Sequence, residues 1–121
     1  MMLQDASVQD IQLELIRRTT YNAFDGGQVY ADLMAHRELW KSAMLYRNEH
    51  GIMLYDIVDN FWNADILLIL AKDEDSAIAL TDIAAHWHSD GGAQIYSLEE
   101  TQKAIGRWSK ENERLVSLWW D

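Results

Sequence analysis

The sequence predicts a small, single-domain layered α/β protein, or its α+β relative. An N-terminal helical hairpin (residues 1–47) packs with a mainly parallel sheet of three or four strands and two crossover helices (residues 52–121). Three observations predict it. The apolar run Ile66 to Ala71 reads as a central strand covered on both sides, because Ile66, Leu68 and Leu70 point one way and Leu67, Ile69 and Ala71 the other. The later half of the chain alternates strand-like with helix-like stretches, and strands joined by helical crossovers are usually parallel. The first 47 residues carry apolar side chains at three- and four-residue intervals, the period of helices with one buried stripe.

Taken in order, Val8, Ile11, Leu15, Ile16 and Thr19 mark a helix from Ser7 to about Tyr21, with Ser7 as N-cap and Asp10 in the first turn. Asp25-Gly26-Gly27 reads as a turn that stops it. A second helix over about 28–47 follows from Val29, Leu33, His36 or Arg37, Trp40 and Met44. Asn48 to Gly51 is a break, and Ile52 to Val58 is either a strand or a buried helical turn. Phe61 and Trp62 sit in the loop before the central strand. Ser76 to Ser89 has helical spacing and ends before Gly91-Gly92. Ala93 to Tyr96 is a short strand, and Ser97 to Glu100 has the spacing of a capping box that opens a helix ending at Gly106. Arg107 to Glu113 is polar and irregular, and Arg114 to Trp120 alternates as a final strand, with a terminal helix as the competing reading.

Composition narrows the function classes. With 121 residues, 49% of them hydrophobic and six of them tryptophan, the chain has material for a packed core without metal or crosslinks. It has no cysteine, which excludes disulfides and thiolate chemistry and suits a reducing compartment. The longest apolar run is far short of the ~20 residues a membrane span needs, and the first residues lack the pattern of a secretory signal, so the expected location is cytoplasmic. Net charge is -10, with seven acids against five bases in residues 1–50 and thirteen against five in residues 51–121. Such a field repels phosphate backbones, so direct nucleic-acid binding is not expected, and it favours cationic partners.

Parallel strands would bring the loops after each to one rim. That rim would carry Asp73, Glu74 and Asp75 after the central strand, Glu99 and Glu100 after the next, and Asp121 after the last. Most of these acids also suit helix N-termini, which favour negative charge by ~0.3–1 kcal/mol. Two readings of the rim differ in class. In the first, the acids and the adjacent Trp119 and Trp120 form a surface for a protein with a basic surface, and the chain is an interaction, inhibitor or immunity-type module needing no cofactor. In the second, Asp73, Asp75 and Glu99 (or Glu100 or Asp121) hold Mg2+ or Ca2+ in a phosphoryl-transfer or hydrolytic enzyme. Asp73-Glu74-Asp75 after a hydrophobic strand is similar to the acidic strand-end pairs of magnesium-dependent phosphoryl-transfer folds, but no further acid, lysine or serine completes such a site. His86 and His88, two apart on a helix, point apart and read as rim residues around a core Trp87. No Gly-x-Gly-x-x-Gly, phosphate-binding Gly-rich loop or Gly-x-Ser-x-Gly is present. Self-association, through an edge strand or a tryptophan patch, is a third option.

Overall fold

The computed structural model describes residues 2–47, 53–106 and 109–121, so the expected break at Asn48 to Gly51, together with Ile52, Arg107 and Trp108, lies outside the described residues. The chain is a mixed helix-and-strand fold. In order it forms α1 (Val8–Arg18), β1 (Thr20–Tyr21), β2 (Phe24–Asp25), α2 (Gly26–Ala35), β3 (Trp40–Tyr46), α3 (Leu54–Val58), β4 (Ile66–Ala71), α4 (Glu74–Ala84), β5 (Gln94–Ile95), α5 (Leu98–Ile105) and β6 (Arg114–Trp119). β1 and β2 make a small hairpin, and the main sheet has the order β3-β4-β6-β5.

Every pairing in that sheet is antiparallel, which overturns the expected parallel arrangement. β4 is central, as its sequence predicts. The two antiparallel pairings of β6 mean that β4 and β5, joined through α4, do point the same way; β6 is inserted between them in reverse. The reason lies in α5. Its Thr101 accepts a hydrogen bond from the Leu115 amide of β6, while Ala104 and Ile105 line one wall of a groove that Leu70 of β4 and Val8 of α1 also line. Thr101 thus pins α5 beside the start of β6, at the end of the sheet where β5 finishes. The chain re-enters the sheet at the end where β5 left it, so β6 must run the other way.

The second predicted helix is also corrected. α2 stops at Ala35, Arg37–Leu39 make a turn of 3-10 helix, and Trp40–Tyr46 is a strand. A register shift at Lys41 explains the misreading. This bulge leaves Lys41 and Ser42 both exposed between buried Trp40 and Ala43, so a strand shows a helix-like spacing of three. Asp25-Gly26-Gly27 is not the turn that ends α1. Asp25 accepts a hydrogen bond from the Gln28 amide as the N-cap of α2, and the turn falls at Asn22-Ala23, with Asn22 at φ 49°.

One face of the sheet is fully covered. Leu45, Leu67, Ile69, Val116 and Leu118 meet α2 and α4 there, and Leu33, Leu80, Trp87 and Trp120 fill the space between. Trp120 stacks edge-on against Phe24, with ring centroids 4.6 Å apart. α1 takes a different place, along the outer edge of β3. The Gln9 side-chain amide donates to the Ala43 carbonyl and accepts from the Ala43 amide, both at 2.8 Å, as a neighbouring strand would. Gln12 accepts from the Leu45 amide, and Arg37, its guanidinium 3.8 Å above the Trp40 ring, donates to the Trp40 carbonyl. Side chains thus occupy the edge that would otherwise invite another strand. The opposite edge, β5, is only two residues long.

α3 inverts the usual pattern. Asp56 is its one buried residue, with a carboxylate oxygen accepting from the Met53 amide at 3.1 Å, while Leu54, Tyr55, Ile57 and Val58 all face outward. The segment is helical rather than a strand, but it is not buried. No helix among the described residues is long and apolar enough to cross a membrane.

Candidate functional site

β6 running in reverse splits the expected acidic rim. Asp73, Glu74 and Asp75 follow β4, and Glu99 and Glu100 follow β5, so these five share one end of the sheet. Asp121 follows β6 at the other end, about 20 Å away along a six-residue strand. Two of the five are occupied as caps. Asp73 accepts from the Ser76 amide at 2.8 Å, and hydrogen bonds from Ser76 hold its carboxyl below the usual range. Glu100 accepts from the Ser97 amide, which lowers its carboxyl in turn and completes the predicted capping box. Glu74, Asp75 and Glu99 are exposed. Among the described residues, no three His, Cys, Asp or Glu side chains are placed to share a metal ion.

The same end of the sheet holds one buried charge. Glu113, 3% exposed, receives the Lys41 ammonium at 2.6 Å on one oxygen and the Lys110 amide at 2.9 Å on the other. Burial pushes this carboxyl up, but Lys41 and the Lys110 amide outweigh it, and the net direction is down. A carboxyl with a lowered folded pKa stabilises the fold above its ordinary range, and that contribution is lost as pH falls through the folded value. Lys41→Met is therefore expected to cost about 2 kcal/mol at pH 7, a value kept modest because Lys41 is half-exposed. The gap should narrow as pH falls through the ordinary carboxylate range and close below the lowered folded value of Glu113, where the carboxyl is protonated in both proteins. Urea melts at pH 7 and pH 3 check this; an equal loss at both would refute the assignment.

The sheet's second face is where structure and sequence diverge most usefully. Reading across β3, β4, β6 and β5, it presents Tyr46, Ile66 and Trp119 in one row, then Met44, Leu68, Ser117 and Gln94, then Ser42, Leu70, Leu115 and Tyr96. Tyr96 belongs to the last row because its amide donates to the Leu115 carbonyl. Antiparallel sheets commonly keep apolar residues on the covered face and polar ones on the other. Here Ile66, Leu68 and Leu70 are only half-buried, and Met44 and Trp119 are exposed. α5 covers the Leu115 corner. Between it and α1 lies a groove of about 380 Å³ whose floor is Ser42, Met44, Leu68, Leu70 and Leu115.

Trp119 and Trp120 divide between the two faces, as adjacent strand residues must. Trp120 is 1% exposed and donates its indole N–H to the Trp87 carbonyl, whereas Trp119 is 46% exposed and donates its own to Asp65 Oδ2 at 3.3 Å. Asp65 carries no signal of its own in the sequence, because its partner Trp119 lies 54 positions later. Its other oxygen, Oδ1, is buried without a hydrogen-bond partner among the described residues. Tyr46, across Ile66 from Trp119, has its hydroxyl pKa raised by burial first and then by nearby Tyr96 and Asp65. On the covered side, Trp87 is buried, with its indole N–H on Asp32, and His86 and His88 stand exposed around a separate cleft.

Comparison of the chain with protein-family models, with curated proteins and with solved structures returns no match.

Proposed function

We propose that this chain is a protein-binding module whose partner, a protein with a basic surface, docks on the half-covered face of the sheet. The observation that supports it is the apolar row Ile66, Leu68 and Leu70, flanked by exposed Met44 and Trp119, on a face that an antiparallel sheet ordinarily gives to polar residues. Charge selects the occupant. Two copies of a chain carrying -10 repel one another, and a phosphate backbone is repelled likewise, whereas a cationic protein surface is attracted. The exposed side chains of α3 add further apolar surface of the kind interaction sites use.

Met44→Lys places a positive charge on the face at an exposed position and leaves the core untouched. Wild-type chain immobilised at low salt should retain a basic protein that is released at high salt, and Met44→Lys should retain at least tenfold less with an unchanged circular dichroism spectrum. Capture of no protein at low salt, or capture undiminished by Met44→Lys, would sink the reading.

A further inference from the structure

Resting on that reading, we infer that Trp119 and Tyr46, with the Asp65 carboxylate beside them, form a subsite for one cationic side chain of the partner, a guanidinium or an ammonium. The register places Tyr46 and Trp119 on either side of Ile66 on the same face, roughly 10 Å apart at Cα by strand spacing, so two aromatic rings border a shared apolar floor. A cation above an aromatic ring is held by the ring's negative face, and indole is the best of the three rings. The Trp119 indole is also tied by its N–H to a carboxylate, which draws the N–H proton outward and enriches the ring in electron density. Asp65 thus acts twice. It holds the indole in place, and it adds a negative charge beside the position a cation would take.

The chain already contains this pairing once, in the Arg37 guanidinium 3.8 Å above the Trp40 ring. There the partner comes from the same chain. At Trp119 no Lys or Arg is paired with the ring or with Asp65 among the described residues. Trp119 is also the one exposed tryptophan among those described, and it stands on the face proposed for docking.

Tetramethylammonium chloride is the probe for the ring alone, since it has no hydrogen to donate, and an octa-arginine peptide is the probe for the whole subsite. In two-dimensional NMR the Trp119 indole N–H signal, assigned by its loss in Trp119→Phe, should shift saturably with tetramethylammonium and not with sodium chloride at equal ionic strength. Octa-arginine affinity by calorimetry should fall about tenfold in Trp119→Ala and about threefold or more in Asp65→Asn, with circular dichroism unchanged in both. An indole signal that responds equally to the two salts, or octa-arginine affinity unchanged in Trp119→Ala, overturns the subsite. The outcome is separable from that of the docking face. Partner capture that Met44→Lys abolishes and Trp119→Ala leaves intact removes the subsite alone, whereas an intact Trp119 response with no partner captured removes the docking face alone.

Discussion

Gly26→Ala is expected to destabilise the protein by about 4 kcal/mol or more, which places it among the most damaging single substitutions a domain of this size can carry. Gly26 opens α2, and its amide donates to the Thr19 carbonyl at 3.0 Å, so the two backbones are in direct contact where α1 ends. A Cβ there would stand 1.9 Å from the Ile16 carbonyl oxygen and 2.3 Å from that of Thr19, far inside van der Waals contact, and both obstacles are backbone. Helix propensity argues the other way, favouring alanine over glycine by about 1 kcal/mol in a helix interior. The steric effect is larger and decides the sign. Since α1 and α2 must separate to admit one methyl group, the loss should appear as a lower urea midpoint or as outright failure to fold. A variant within 1 kcal/mol of wild type would show that the α1–α2 junction is looser than described. Gly27→Ala, beside it, meets only the Asp25 side chain at 3.5 Å and should be near neutral.

Trp120→Ala should cost about 3–5 kcal/mol, the range for removing a fully buried aromatic. Its ring meets Phe24 edge-on, its indole N–H satisfies the Trp87 carbonyl at 2.9 Å, and its backbone amide donates to the Asp65 carbonyl at 3.0 Å, so β6 is tied to the covered core and to the entry of β4. Trp120→Phe should recover much of the loss but leave the Trp87 carbonyl unpaired, for a residual of about 1–3 kcal/mol. Urea unfolding followed by circular dichroism separates the three proteins, with an unchanged slope marking a true stability change. The neighbouring Trp119→Ala should cost little in the same melts, because its ring is half-exposed. Equal losses at the two positions would mean that both tryptophans serve the core, and the open face would lose its principal residue.

These two tryptophans also show how much of the molecule was legible beforehand. Alternation alone requires that Trp119 and Trp120 face opposite sides of a strand, and the run Ile66 to Ala71 identifies β4 as central because no edge strand carries so many apolar residues in succession. Capping signals are equally local. Ser7, expected as an N-cap, and Ser97 with Glu100, expected as a capping box, have their partners three residues away, and both helices open on a closed hydrogen-bonded box. β3 escaped because a bulge at Lys41 breaks the two-residue period, and Asp65 escaped because its chemistry depends on Trp119, 54 positions later in the chain.

What the sequence determined by itself is therefore set within a few residues: the central strand, the caps at Ser7 and Ser97, the acidic charge and the division of the tandem tryptophans. The tertiary structure alone decided that β6 runs in reverse and that the acids after β4 and β6 lie at opposite ends. It also decided that one side of an apolar strand is left half-open. The physical reason is that local preferences act through neighbouring backbone and side-chain sterics, whereas strand direction and face coverage depend on where a connecting helix lies, which is settled by packing between residues far apart in the chain.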